Sequence, residues 1–148
     1  MTYYDAVDFM EELLSLPVSA IGLDFVRGGS SYQYIVQHGF PKEKTLIAGL
    51  VDGRNIWKTD AAAAVAKLRA LSQKTPNLMV SNAAPLYHLP LTVSVEDTLD
   101  EHLKTRLAFA EEKLAEIRMI ADCVEGRRAI PEKVVLEDYG RDQKVQSR

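Results

Sequence analysis

Three short apolar runs, each ending in polar residues, constrain the fold of this chain more than any other feature of its sequence. The runs cover residues 18–26, 45–51 and 78–80, and stretches with helical periodicity separate them. Apolar runs that alternate with helices are typical of buried strands in a parallel sheet joined by right-handed crossovers. The sequence therefore predicts an α/β fold in which parallel strands alternate with helices.

The helices between these runs have recognisable boundaries. Residues 5–16 carry apolar side chains at helical spacing and are followed by a proline. Residues 30–39 form a short predicted helix whose final glycine serves as the C-cap. A third predicted helix, residues 61–73, begins in an alanine tract and is capped by Thr59 or Asp60.

The strongest helical pattern covers residues 100–124, with Gly126 as its cap. Its apolar positions recur every three or four residues, which predicts one long helix with a buried stripe. Residues 127–148 are polar and weakly periodic, and we interpret them as a tail or linker. The stripe consists of Leu103, Leu107, Ala110, Leu114, Ile117, Ala121 and Val124.

Composition narrows the class of protein and its partners. The chain has 148 residues, with 18 Lys and Arg against 21 Asp and Glu, and its formal net charge is −3. This acidic excess disfavours nucleic acid or an anionic membrane as the partner, because both select basic surfaces. No apolar run approaches a membrane span, and the first residues lack the pattern of a signal peptide. With the lone Cys123 excluding an internal disulfide, we expect a cytoplasmic protein.

Polar residues cluster where the predicted strands end, and functional groups of parallel α/β sheets lie at that edge. Two interpretations remain open. An Asp–Arg arrangement there suits recognition of an anion or amide, and the same residues can instead fix the βα turns and the rim, with Gly53 supplying a special backbone conformation. For Asp24 and Arg27 the alternatives are a charge pair facing the cleft or a structural ion pair. The candidate cleft-lining residues are Asp24, Arg27, Asp52, Arg54, Asn55, Trp57, Asn82 and His88.

Other possible sites carry weaker signals. The stretch GGSS at residues 28–31 could hold a phosphate on backbone N–H groups, as in a small phosphate-binding enzyme, or form a flexible turn. His88 could act as a base or metal ligand, or simply pack in a loop, because no second His or Cys stands at ligand spacing. Cys123 is expected to be a small core residue, and residues 111–113 (EEK) are expected on a solvated helix face.

One segment is too specific for a generic α/β chain. Residues 39–58, GFPKEKTLIAGLVDGRNIWK, closely resemble the N-terminal barrel of the cobalamin-independent methionine synthase family. Further segments resemble that barrel in the same order along the chain. They are residues 2–4 (the end of its fifth strand), 18–27 (its sixth strand), 86–90 (the loop after its last strand), 107–114 (its last helix) and 145–146 (the run toward the second barrel).

The resemblance implies a particular architecture. Family members have two (β/α)8 barrels, and this chain resembles the second half of the first barrel, from the end of strand 5 through helix 8. Residues 1–126 are then a partial (β/α)8 TIM barrel and residues 127–148 a tail or linker. A three-stranded parallel sheet has two bare edges, so we expect self-association or a complementary half-barrel as the partner.

The resemblance also implies an activity for the intact family enzyme. That enzyme transfers a methyl group from 5-methyltetrahydrofolate polyglutamate to homocysteine, with zinc and the folate substrate bound mainly by the C-terminal barrel. Its zinc ligands are a His-x-Cys pair, a Glu and a further Cys. Asp24 and Ala84 stand where the duplicated barrel has the Glu and that last Cys, and many members keep Cys-Ser where this chain has Ala84 and Pro85. We therefore expect a fragment or truncated homologue that binds no cofactor itself and is structural, with a self-associating half-barrel binding module as the alternative.

Overall fold

A computed structural model describes residues 1–132, which form a three-stranded parallel sheet flanked by helices. The strands are β1 (Ala20–Asp24), β2 (Thr45–Val51) and β3 (Leu78–Asn82), and their order in the sheet follows the sequence. The predicted α/β class and parallel alternation are confirmed, and the second strand has the predicted bounds. Three strands do not close a barrel, so the sheet is open.

Helices precede β1, lie between the strands and follow β3. Residues predicted as one helix before β1 form a 3-10 turn and a short α-helix, so that helix begins later than expected. The turn covers Val7–Phe9, and the α-helices are α1 (Met10–Ser15), α2 (Gly29–His38), α3 (Ala61–Ser72), α4 (Glu101–Lys104) and α5 (Ala110–Val124). A second 3-10 turn, Val93–Val95, lies in the long connection after β3.

Strand register brings the carboxyl ends of the strands to one edge. Asp24 at the end of β1 pairs with Gly49 of β2, and Val51 pairs with Asn82 at the end of β3. The pairing of β2 with β3 shifts between Gly49 and Val51. The turns after β1 and β2 and the loop after β3 therefore start beside one another.

One face of the sheet packs against helices and forms the core. Alternate strand residues such as Leu23 and Ala48 point to this face, as the period of two of a strand requires. Helices α3 and α5 cover β2 and β3 from this side. The buried core includes Met10, Ile21, Leu23, Phe25, Ile35, Leu46, Ala48, Leu50, Val65, Leu68, Leu71, Ile120 and Cys123.

The opposite face is only partly covered. The side chain of Met1 lies over Gly22 and Gly49, where a built Cβ would come within 3 Å of it. The N–H of Thr2 donates to the carbonyl of Gly22, so the N-terminal segment pairs with the outer edge of β1. Met79 of β3, on the same open face, is 58% exposed. Within residues 1–132 no strand pairs with the outer edge of β3.

Three predicted helix boundaries are confirmed. Gly39 follows α2 with φ +85° and Gly126 follows α5 with φ +75°, a region in which glycine is unstrained. At the start of α3, the carboxylate of Asp60 accepts the N–H of Ala63, so Asp60 is the N-cap.

The single long helix predicted for residues 100–124 is wrong. The chain leaves the helix after Lys104 and runs past Trp57, with which Leu107 forms an antiparallel bridge. The N–H of Lys58 donates to the carbonyl of Arg106, and the N–H of Ala108 donates to that of Ile56. This long-range pairing satisfies backbone groups that a continuous helix would have paired locally.

The buried face of α5 also differs from the predicted stripe. Leu114 is 58% exposed, whereas Lys113 and Glu116 lie in the interior beside Ile120 and Cys123. The interpretation of residues 111–113 as a solvated face is therefore wrong for Lys113, whose side chain is 1% exposed. Cys123 is a buried core residue, as predicted.

The C-terminal segment is described only in part. Residues 127–132 contain no helix or strand, and most of the predicted tail, together with residues 145–146, lies outside the described residues. Between residues 1 and 132, no helix is both long and apolar enough to cross a membrane.

Candidate functional site

The candidate site lies at the carboxyl edge of the sheet, where the turns after β1 and β2 meet. Asp24 ends β1 with its side chain fully buried. Its Oδ1 accepts the N–H groups of Val26 and Arg27, each at 2.9 Å, which holds the chain in a tight turn as it leaves the strand. The other oxygen, Oδ2, is 2.6 Å from Nη2 of Arg54.

Arg54 connects three parts of this edge. Besides binding Asp24, it places Nη1 3.3 Å from Oδ1 of Asp52 and donates from Nη2 to the carbonyl of Tyr3. Its guanidinium lies 5.3 Å from the centre of the Tyr4 ring. Burial acts to lower the pKa of Arg54, but the hydrogen bond and charge of Asp24, with the charge of Asp52 added, raise it above its ordinary value. Arg54 therefore stays charged and acts as a clamp.

Asp52 organises the turn after β2. Its Oδ1 accepts the N–H of Arg54 at 3.0 Å, and its Oδ2 accepts the Nδ2 amide of Asn55 at 2.7 Å. Asn55 in turn accepts the N–H of Trp57 at 3.0 Å. These bonds occupy both carboxylate oxygens within the turn, so the geometry matches the rim-forming interpretation more closely than the cleft interpretation.

Gly53 is required by crowding. Its φ is not positive, so the expected special backbone conformation is wrong. A Cβ at this position would lie 2.2 Å from the carbonyl oxygen of Ala84, the first part of the loop after β3. The turn after β2 and the loop after β3 thus touch through their backbones.

The predicted pairing of Asp24 with Arg27 is not the one that forms. Arg27 offers Asp24 its backbone N–H while its side chain is exposed, and Arg54 provides the charge partner from the neighbouring turn. Arg27 is close to Asp24 in the sequence, and Arg54 is close to Asp52. Because β1 and β2 pair side by side, the turn after β2 brings Arg54 to Asp24.

The remaining candidates lie at or beyond the end of β3. Asn82 donates Nδ2 to the carbonyl of Ala84 at 2.8 Å and accepts the hydroxyl of Ser81. His88 is exposed, and its ring lies against that of Tyr87 with centroids 3.9 Å apart. The structure thus brings Asp24, Asp52 and Arg54 into one network, while Asn82 caps its own loop and His88 faces solvent.

The serines of the GGSS stretch donate hydrogen bonds to the carboxylate of Asp5. Asp5 accepts the N–H groups of Ser30 and Ser31 at 2.9 and 2.8 Å and the hydroxyl of Ser31 at 2.6 Å. Burial acts to raise the pKa of Asp5, but the hydrogen bonds from Ser31 and Ser30 lower it from 3.8 to about 2. The first turn of α2 therefore binds a carboxylate from its own chain, where the sequence had left open a phosphate site or a flexible turn.

Two polar residues of α5, Glu112 and Lys113, hold neighbouring segments in place, and the sequence did not predict this role. Glu112 accepts the N–H of Phe109 at 3.0 Å and the hydroxyl of Thr92 at 2.7 Å, and Lys113 donates Nζ to the carbonyl of Trp57. Burial lowers the pKa of Lys113, although Glu116 and Asp52 act to raise it. Glu112 is the third residue of α5 and accepts the N–H of the N-cap residue, but that residue is Phe109, so the Ser or Thr of a capping box is missing from the sequence. The burial of Lys113 had no local signal either.

Residues 1–132 provide no ligand set for zinc. No group of three His, Cys, Asp or Glu side chains in that range is placed to hold a metal ion. Cys123 is buried with its Sγ donating to the carbonyl of Ala129, and Asp24 is committed to Arg54. The described residues therefore do not fit the metal of the resembled enzyme.

Comparison with known proteins agrees with the family resemblance of residues 39–58. The family profile described as "Cobalamin-independent synthase, N-terminal domain" matches residues 1–76. The chain is 40% identical over 141 residues to the 5-methyltetrahydropteroyltriglutamate–homocysteine methyltransferase of Thermotoga maritima, covering 95% of this chain and 19% of that protein. It is 42% identical over 137 residues to the protein of the same name from Bacillus subtilis, covering 90% and 18%. The chain thus spans about a fifth of the length of these relatives.

Proposed function

This chain belongs to the cobalamin-independent methionine synthase family, and from that premise we propose that it is a structural segment of the family's N-terminal barrel. In this role it supplies three strands and their covering helices, the second half of a (β/α)8 barrel, and does not transfer methyl groups alone. The observation that carries the proposal is the open sheet, which needs a complement because one face is only partly covered and the outer edge of β3 has no strand partner among residues 1–132.

The two edges of the sheet support this role. A strand edge presents unpaired N–H and C=O groups, and closing the sheet into a barrel removes such edges. The outer edge of β1 is paired only through Thr2, at the position that the end of a preceding strand takes in a barrel. The outer edge of β3 is without a strand partner among residues 1–132. A complementary half-barrel would pair with both edges.

The polar edge supports a structural role for the charged residues. The charged side chains at this edge form ion pairs with one another and hydrogen bonds with the backbone of the turns; they are Asp24, Arg54 and Asp52. A site that bound a substrate at this edge would have to break these bonds, and the groups released would be partly buried. We infer that the network holds the strand ends in register and forms part of the barrel rim in the cytoplasmic enzyme.

The complement can be tested directly. The preceding half of the N-terminal barrel of the Bacillus subtilis relative, produced separately, is mixed with this chain and the particle mass is measured by light scattering. We expect a one-to-one complex with more cooperative unfolding than either piece. Two pieces that never associate would contradict the proposal, and methyl transfer from the folate to homocysteine by this chain alone with zinc would overturn its inactive part.

Self-association is the second candidate, favoured by the number of strand positions. Three strands and the segment at Thr2 make four positions in one copy, so two copies supply the eight that a parallel barrel contains. A two-fold axis along such a barrel would place β3 of each copy beside the N-terminal segment of the other. A native mass of twice 16.5 kDa in the absence of any partner would support this candidate, and a stable monomer that melts cooperatively would exclude it.

A further inference from the structure

A cavity of about 360 Å³ lies beside the carboxyl ends of β1 and β2, on the helical side of the sheet. Its size is near the lower end of the ~300–1,000 Å³ range of small-molecule sites. Its apolar lining comes from Leu50 of β2, from Phe25 directly after β1 and from Trp57 in the turn after β2. Phe25 is fully buried and Leu50 is 5% exposed, so Trp57, which is 38% exposed, offers most of the apolar surface that a ligand can reach.

Two lysines from different helices line the same cavity. Lys67 of α3 donates Nζ to the carbonyl of Phe25 at 2.8 Å and lies 5.4 Å from the centre of the Tyr32 ring. Lys113 of α5 donates Nζ to the carbonyl of Trp57. An ammonium has three donors, so the carbonyl partner of Lys67 leaves donors available on this half-buried side chain. Lys113 is 1% exposed and lies 3.7 Å from Glu116, so it contributes positive charge to the cavity rather than a direct contact.

The carboxylates nearby are already engaged. Both oxygens of Glu116 accept donors from Thr59, at 2.9 and 2.6 Å, and Glu116 stands 3.7 Å from Nζ of Lys113. Asp52 is bound by Arg54 and Asn55. Within residues 1–132 Lys67 forms no ion pair with a carboxylate, and its hydrogen-bond acceptor is a backbone carbonyl.

We propose that this cavity binds a small monocarboxylate that carries an apolar or aromatic body. Lys67 holds the carboxylate, the buried ammonium of Lys113 adds positive charge, and the body lies mainly against Trp57. A dianion such as phosphate fits the site less well, because Asp52 and Asp60 also line the cavity and repel a second negative charge. The apolar surface in turn selects ligands that bury hydrocarbon.

The position of Trp57 supplies a specific reporter. It is the single tryptophan of the chain, so its fluorescence reports on this cavity alone. The probe is phenylacetate, titrated into the full 148-residue chain, and the matched probe is phenylacetamide, which has the same ring without the charge. We expect phenylacetate to change the fluorescence with a Kd of about millimolar or tighter, the affinity that a ligand of this size can reach. We expect phenylacetamide to bind roughly tenfold more weakly.

Two variants locate the carboxylate. Lys67→Met keeps the aliphatic stem and removes the ammonium, and we expect it to weaken phenylacetate binding by roughly tenfold or more. Lys74→Met removes an exposed ammonium that does not line the cavity, and it should bind as the unaltered chain does. Melting temperatures check that both variants are folded.

Several results would overturn the proposal. The proposal is wrong if Trp57 fluorescence does not change at phenylacetate concentrations far above the expected Kd, or if phenylacetate and phenylacetamide bind equally well. It is also wrong if Lys67→Met and Lys74→Met lose the same binding affinity, or if a folded Lys67→Met chain binds phenylacetate as tightly as the unaltered chain. The comparison of acid with amide needs only the unaltered chain, so it decides the matter even where a variant fails to fold. None of these readouts depends on barrel completion, so their failure leaves the proposed structural role untouched.

Discussion

Arg54, in the turn after β2, binds the fully buried carboxylate of Asp24 at the end of β1, with 2.6 Å between Nη2 and Oδ2. The two residues are 30 positions apart in the sequence. Their contact joins two βα turns that the sheet brings side by side, and it gives the charged edge a stability role that can be measured.

Removing the arginine leaves a buried charge without its partner. We expect Arg54→Met to lower the free energy of unfolding by about 2–4 kcal/mol, somewhat below the ~3–5 kcal/mol of a fully buried pair because the Arg54 side chain keeps 19% exposure. Urea denaturation measures the change. Arg27→Met is the control, since that exposed side chain should cost within about 0.5 kcal/mol; equal losses in the two variants would show that Arg54 has no special role.

The carboxylate of Asp52 stabilises the next turn. Asp52→Ala removes the acceptor for the backbone of Arg54 and for the amide of Asn55. We expect a loss of about 1–2 kcal/mol in the free energy of unfolding, as for other partly buried hydrogen bonds that lose one partner. Thermal melting is the measurement. An Asp52→Ala chain that melts like the unaltered one would contradict the structural interpretation of this turn.

Crowding at Gly53 gives a backbone test of the same region. Gly53→Ala would put a Cβ 2.2 Å from the carbonyl oxygen of Ala84, so the turn and the loop after β3 would have to separate. We expect a loss of roughly 1–3 kcal/mol, the usual range for forced overpacking. Gly29→Ala has open space at its Cβ and should be neutral or stabilising by about 0.4–1 kcal/mol. Similar melting temperatures for the two variants would refute the close approach.

Asp5 makes stability depend on acid pH. Its pKa is lowered from 3.8 to about 2 in the folded chain, so the carboxylate stabilises the fold above about pH 4 and this contribution disappears as the pH falls toward 2. We expect Asp5→Asn to melt at a lower temperature than the unaltered chain at pH 6, with the difference shrinking between pH 4 and 2. Asp8→Asn, a change at an exposed position in the same segment, is the matched control variant. If the difference in melting temperature between Asp5→Asn and the unaltered chain stayed constant from pH 4 to 2, the Asp5 carboxylate would not stabilise the first turn of α2.

Local patterns sufficed for much of the fold. The bounds of β2 followed from a continuous apolar run, and Gly39, Asp60 and Gly126 act as caps because their chemistry is local. The break before α5 was missed because it depends on pairing of Leu107 with Trp57, some fifty residues away. Apolar periodicity continued through the break and gave no warning.

The candidate site shows the same division. Asp52 and Asn55 were placed correctly as a turn, since their contacts lie within a few residues of each other. The sequence offered Arg27 as a possible charge partner of Asp24, whereas in the structure that partner is Arg54 from the neighbouring turn. The sequence could not predict that Lys113 is buried, because a charged residue is buried only where the fold supplies partners for it. Here those partners are the carbonyl of Trp57 and the carboxylate of Glu116.

The sequential strand order has a consequence for synthesis of the protein. Each strand pairs in parallel with the one made before it, so no strand must wait for a later one to be inserted between it and its neighbour. Strands β1 and β2 and the helix between them can assemble as soon as the segment through residue 51 has left the ribosome, and β3 then adds to an existing template. Growth by addition at one edge makes the β3 edge the last to form, and in the proposed barrel this edge pairs with the strand that was made first.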